Sequence, residues 1–349
     1  MWHYLAMLTT LKMPKILIST GIYPPAIGGP AEYAKSLESS FKAAGLAVWV
    51  KTYNIENKLP TGIRHIYYFF KIIPSALWAD YIISLDTFSV GLPTTFASKL
   101  FGKKNVIRTG GDFLWESFVE RTGREVLLKD FYNTSRQFLS LKEKVIFHLT
   151  KYVFRATDAI IWSTPWQRNI FLKPYGLETQ KHFIVENFYG PKQESNEPIK
   201  KVFLASTRNL KWKNHSRLGI AFEKIKTNHP EIILDTAPSR HDEFIEKIKN
   251  CYAVILVSHG DISPNMILEA ISYNKPFILT KETGLYDKLK DIAVFVDPLD
   301  ENDIAQKITY LLDGENYQTQ LDKIRNFNFT HTYDQIASEF LYVFQKITK

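Results

Sequence analysis

The 349-residue chain has a single cysteine, Cys251, so no internal disulfide can form. No group of Cys and His residues has the spacing of a zinc or iron–sulfur site, and this usage fits a reducing, cytoplasmic location. No apolar run approaches the ~18–20 residues of a membrane-spanning helix. The mildly apolar Trp2–Leu11 also lacks the basic start of a signal peptide. Met13-Pro14-Lys15, directly before a strong strand pattern, reads as an alternative start that leaves the first twelve residues as an extension. Glycine and proline number only 16 each, which excludes collagen-like and low-complexity chains. The chain contains no GxGxxG, no P-loop sequence, no DxD after a strand pattern and no recognition-helix, RRM or zinc-finger pattern. Nicotinamide chemistry, P-loop hydrolysis, a carboxylate-held metal and nucleic-acid binding are therefore not expected.

What is present is globular: 45% hydrophobic and 23% charged residues, in a chain long enough for two domains. A net charge of +8 favours anionic partners, whether phosphorylated small molecules or acidic lipid. From Lys15 onward, short β-rich runs alternate with longer helical periods, which predicts parallel α/β layers. Strands are expected at Lys15–Thr20, Leu46–Tyr53, Tyr81–Leu85, Asn105–Thr109, Asp158–Trp162 and His182–Glu186. The polar stretch Tyr189–Pro198 breaks the pattern, and Val202–Ser206 starts a second alternation with strands at Ile232–Thr236, Ala253–Val257, Pro276–Thr280 and Ala293–Val296. The expected organisation is an N-terminal Rossmann-like acceptor domain over residues 1–190 and a C-terminal Rossmann-like donor domain over 191–330. Residues 331–349 form a last helix that packs back on the first domain. Such doubly wound units bind ligands at the C-terminal ends of their strands, so the cleft between the two is the expected site.

Three loops carry candidate chemistry. Gly28-Gly29-Pro30 follows the first strand and opens a helix at Pro30–Ala44, where backbone N–H groups can meet a phosphate. Arg208 and Lys213, five residues apart after the first strand of the second half, can clamp a diphosphate as a planar fork and a point charge. The third loop, Asp261 to Glu269, reads as Ser263 capping a helix with Pro264 at its first position; Asn265 and Glu269 then share a face. Glu269 lies among apolar residues and needs a hydrogen-bonding partner, which vicinal ribose hydroxyls can be. Each loop has a structural alternative: a βα turn, a solvated basic loop, or a carboxylate that pairs with a nearby lysine or lies on the wet side of its helix.

Taken in order, Gly28-Gly29, Arg208 with Lys213-Asn214, and Asp261-x7-Glu269-Ala followed by Asn274-Lys275-Pro276 resemble the retaining glycosyltransferases of family 4 over about Lys15–Leu312. The resemblance implies the GT-B fold, two Rossmann-like parallel-sheet domains facing across a cleft. It implies transfer of a hexose from a UDP- or GDP-sugar with retention and without a metal or other cofactor. Arg208 and Lys213 then bind the diphosphate, Glu269 the ribose, and Gly29 admits the donor's phosphates. Asp261 stands where the family usually has Glu, at a position contacting the donor sugar. Where many members carry a His after the fourth strand, this chain reads Gly110-Gly111-Asp112-Phe-Leu-Trp115-Glu116, a variant associated with some bacterial members. Asp112 becomes the candidate for contacting the transferred sugar, its structural alternative being an Asx-type turn.

The acceptor, a saccharide or a lipid-linked one, is less legible. Lys142–Arg155 and the aromatic-rich Ile63–Trp78 combine apolar and basic residues as a peripheral membrane surface would, or as a buried helix with a basic rim does. A place in cell-surface polysaccharide or glycolipid synthesis follows from the resemblance. A catalytically impaired sugar-nucleotide-binding protein is the alternative; a basic nucleic-acid-binding protein fits less well.

Overall fold

The computed structural model describes residues 13–26 and 28–348; the extension suggested for residues 1–12 lies outside them. The first half contains β1 (Lys15–Thr20), α1 (Gly29–Ala43), β2 (Ala47–Thr52), α2 (Ile63–Trp78), β3 (Tyr81–Ser84), α3 (Gly91–Leu100) and β4 (Lys104–Thr109). It continues with α4 (Phe113–Thr122), α5 (Leu128–Thr134), α6 (Leu141–Ala156), β5 (Ala159–Trp162), α7 (Pro165–Tyr175) and β6 (His182–Ile184). The second half contains β7 (Lys201–Leu204), α8 (His215–Lys226), β8 (Ile232–Asp235), α9 (His241–Asn250), β9 (Ala253–Leu256) and α10 (Asn265–Ser272). After these come β10 (Phe277–Thr280), α11 (Tyr286–Leu289), β11 (Val294–Val296), α12 (Glu301–Leu312), α13 (Gly314–Arg325) and α14 (Tyr333–Thr348).

The strands form two parallel sheets, ordered β2-β1-β3-β4-β5-β6 and β11-β10-β9-β7-β8. Parallel strands need helical crossovers on both faces, which is why β5, β9 and β10 are buried at every position and, Thr280 apart, apolar throughout. In the first sheet Ile16, Ile18 and Val106 face α1 and α14, where Phe41 meets Phe340 edge-on at 6.3 Å. On its other face, Leu17 and Ile82 pack with Tyr68 and Ile72 of α2, and Ile107 and Ile160 with Phe118, Phe147 and Phe154. The chain passes between the halves twice, and the two passes run side by side through the antiparallel bridge Tyr189–His331.

Strand order reverses between β1 and β3 in one sheet and between β7 and β9 in the other. Reversal splits the neighbouring loops apart and leaves a crevice at the strand ends. The loops that leave β1, β7 and β9 are the three singled out from sequence. One local expectation changes: α10 begins at Asn265, and the Pro264 carbonyl accepts from Ile267 and Leu268 N–H, so Pro264 is the cap and Ser263 lies outside.

Candidate functional site

The β7 loop is held in shape by Asn214. This residue adopts φ 64°, ψ 30°, a left-handed conformation that Asn tolerates better than most side chains. Its buried amide donates to the carbonyls of Val257 and Pro298 at 3.0 and 2.7 Å, tying the loop to the ends of β9 and β11. Lys213, the preceding residue, reaches Asp261 Oδ2 at 2.6 Å with both side chains largely buried. The Asp261 N–H donates to Glu282 O and its carbonyl accepts from Gly284 N–H, so the carboxylate has a fixed base. Arg208 is exposed and forms no ion pair among the described residues, yet its charge reaches Glu116 of the other half.

Glu269 stands one turn further along α10 than Asn265. Its side chain is a quarter exposed, and among the described residues its one ionic neighbour is the exposed His241 at 3.7 Å. Burial alone pushes its pKa up to about 7, because no donor compensates for lost hydration. The lysine that a structural reading would supply is not there. Asn265, one turn earlier, is exposed and lies against Gly29: a Cβ at Gly29 would sit 2.6 Å from Asn265 Nδ2. Gly29 thus marks a close approach of the first α1 turn to the start of α10, where a larger residue would turn the exposed Asn265 side chain aside. Gly28, with φ +139°, adopts a conformation that favours glycine as the chain enters that turn.

Asp112 caps α4. Its Oδ1 accepts from Leu114 and Trp115 N–H at 3.0 and 3.1 Å, and its Oδ2 accepts from Tyr132 Oη at 2.6 Å. Burial raises its pKa to about 6 against the pull of these bonds. Both oxygens are thereby engaged within the protein, in the Asx-type arrangement that was the structural alternative.

The residue missed from sequence is Glu116. Trp115 packs on Trp212 across the domain boundary with ring centroids 5.4 Å apart. Their successors in sequence, Glu116 and Lys213, are brought into the same space. Gly260 makes this approach feasible, since a Cβ there would lie 2.5 Å from Leu128 Cβ. Leu128 N–H in turn donates to His259 O at 3.1 Å. Burial, and then the Asp112 charge, push the Glu116 pKa up to about 7 although Arg208 and Lys213 pull it down. The Gly-Asp-x-x-Trp-Glu run contained the signal: in a helix capped at Asp112, Glu116 stands four residues on, over the capped end.

Arg208, Lys213 and Asp261 from the second half therefore come near Glu116 from the first, and Asn265 comes near Gly29; Glu269 stands one turn beyond Asn265 on α10. Burial pushes the pKa of Glu116, and separately that of Glu269, up to about 7.

No family model and no curated protein matches the chain. Solved structures do match over nearly its whole length. A sucrose-phosphate synthase from Thermosynechococcus elongatus superposes with a TM-score of 0.68 at 13% identity, covering 97% of this chain and 99% of that one. HepE from Anabaena in complex with UDP-glucose gives 0.60 at 14% identity, over 96% and 98% of the two chains. A UDP-forming trehalose-phosphate synthase from Burkholderia vietnamiensis gives 0.66 at 12%, over 97% and 100%. At such identities the likeness is one of fold, and the fold is GT-B: two parallel-sheet α/β units facing across a crevice.

Proposed function

We propose that the protein is a glycosyltransferase that moves a hexose from a UDP- or GDP-sugar to an acceptor hydroxyl, with retention. The observation that supports this reading is the approach of Arg208, Lys213 and Asp261 to Glu116 at the strand-order reversal of the second sheet, with Glu269 one turn beyond Asn265 on α10. Two cations together with a buried carboxylate on the neighbouring helix suit a nucleoside diphosphate: phosphate oxygens take the cations, and the ribose hydroxyls donate to Glu269. HepE, of like fold, was solved with UDP-glucose bound, which supports the donor class.

In the proposed reaction the anomeric carbon–phosphate oxygen bond breaks and the acceptor oxygen bonds to that carbon. Negative charge grows on the β-phosphate, where Arg208 and Lys213 stabilise it. Positive charge grows on the sugar ring, where the Asp261 carboxylate, paired with Lys213, would stabilise it. A bound diphosphate adds negative charge beside Glu116 and raises its pKa further, so Glu116 is protonated in the donor complex and donates a hydrogen bond to sugar or phosphate. The acceptor's proton leaves on the departing phosphate. Asp112, expected to touch the sugar, instead acts through the α4 cap as a positioning residue for Glu116. The acceptor is a saccharide or a lipid-linked sugar, handled on the cytoplasmic side in polysaccharide or glycolipid synthesis. Screening UDP-, GDP- and ADP-sugars by melting temperature tests the donor assignment, because a ligand bound only by the folded state stabilises it. A rise with one nucleotide class is expected; no rise with any would refute the reading.

A further inference from the structure

Helix α2 has apolar residues on both sides. Its inner side buries Tyr68, Ile72 and Ala76 against the sheet. Its outer side, where a water-facing helix carries charge, presents Ile63, Ile66, Tyr67, Phe70 and Leu77, with Ile66 61% and Phe70 63% exposed. The helix has no acidic residue, and its Lys71 is drawn back to Glu56 at 2.7 Å. The pattern continues over the next two helices of the same layer. Phe96 and Leu100 stand exposed on α3, and Leu141, Val145 and Tyr152 recur along the outer side of α6. The Phe96 and Tyr152 rings stack at 5.0 Å, which makes the α3 and α6 portions continuous, and α2 packs directly on α3.

Charge on this face has one sign. The three helices carry seven Lys and Arg and a single acid, Glu143. Glu143 is buried and bound by both Arg121 nitrogens at 2.8 and 2.7 Å, so it offers nothing outward. A hollow of about 470 Å³ at the end of α6 adds Arg136, Lys144 and His148 to its walls. Exposed apolar surface of this extent calls for a partner. A second copy would bring one basic face against another, whereas an anionic phospholipid surface satisfies both the apolar stripe and the basic rim.

We propose that the outer face of α2, α3 and α6 lies in the headgroup region of an anionic phospholipid bilayer. The face also communicates with the crevice. His65 in the first turn of α2 meets Phe88 edge-on at 4.8 Å, and Phe88 stacks on the half-exposed Phe113 at 6.2 Å. Phe113 directly follows Asp112, so these ring contacts link the first turn of α2 to the start of α4, the helix that carries Glu116. A lipid-linked acceptor would arrive from this side; that consequence rests on the glycosyltransferase reading, whereas bilayer binding does not.

Vesicle flotation of the full chain tests the proposal, with phosphatidylcholine alone and with roughly 30% phosphatidylglycerol added. Wild type floats with the anionic vesicles and not with the neutral ones, and added salt weakens its binding. Ile66→Ser/Phe70→Ser, at exposed positions that leave the core untouched, lowers partitioning by roughly tenfold or more. Its melting temperature and nucleoside diphosphate affinity stay at the wild-type values, which separates failure of this proposal from failure of the donor assignment. Absence of wild-type flotation on anionic vesicles, or equal flotation of the double variant, would overturn the proposal. So would a wild-type dimer that the same substitutions dissociate, since a second copy would then cover the face.

Discussion

Glu116 and Glu269 are carboxylates whose surroundings resist ionisation, and this has a measurable consequence for stability. Each has a folded-state pKa of about 7 against an unfolded value near 4.5. Between these values the folded chain holds more protons than the unfolded chain, so stability falls as pH rises through the window and levels off above it. The full shift corresponds to ~3 kcal/mol, and solvent in the crevice reduces the expected effect to about 1–2 kcal/mol. Glu116→Gln should therefore stabilise the protein at pH 8 by about that amount and leave it unchanged at pH 4.5, as read from denaturant midpoints. In donor binding the sign reverses for Glu269: ribose hydroxyls need an ionised acceptor, so affinity should rise between pH 6 and 8, and Glu269→Gln should flatten the profile. Arg208→Ala and Lys213→Ala should each lower kcat/KM by roughly 10²–10³, the scale of losing a charge-stabilising group in a transition state. These two cations and Glu269 were singled out from sequence because they stand in, or one helical turn beyond, loops that follow strands. Glu116 was not singled out: the Gly-Asp-x-x-Trp-Glu run places it over the capped end of α4, but its approach to Lys213 depends on a Trp115–Trp212 contact between residues 97 positions apart, which the run does not encode.

Elements fix where those residues point. The β7 loop depends on Asn214, which supplies both a left-handed turn and two buried hydrogen bonds. Asn214→Ala should destabilise by about 2–3 kcal/mol, while Asn214→Gly should recover the backbone part but not the bonds. On the other side, the α4 cap holds Glu116 through Asp112. Asp112→Asn keeps a side-chain oxygen for the Leu114 and Trp115 N–H groups but removes the charge that raises the Glu116 pKa. The pH at which Glu116 titrates in kcat should therefore move down in this variant, a change that loss of packing alone would not produce. Periodicity revealed most strands and the first and last helices, since apolar spacing follows directly from burial against a sheet. The start of α10 was misplaced by one residue: Pro264 suits the cap and the first turn almost equally, and only the pattern of bonds to its carbonyl separates them.

At the scale of the whole molecule, two sheets with reversed strand order bring their crevices together, and the halves are joined by contacts that sequence could not reveal. Lys129 pairs with Glu282 at 2.5 Å, and Asn187 donates to Ser263 O at 3.2 Å. Gly29 comes near Asn265 at the same boundary, so the proposed donor site draws on both halves. The fold class was predictable because two βα alternations around a polar break permit few other arrangements. Helix faces were less so: α2 looked equally like a buried helix, and only its packing shows which apolar residues remain uncovered. The central claim is that Arg208, Lys213 and Glu269 together bind a nucleoside diphosphate. Titration calorimetry of UDP, GDP and ADP into the wild type and the Arg208→Ala/Lys213→Ala double variant tests it most directly. The account predicts heat of binding from UDP or GDP with wild type and an affinity at least ~100-fold weaker in the variant; equal affinity in the two proteins, or no binding of any nucleoside diphosphate to wild type, would contradict it.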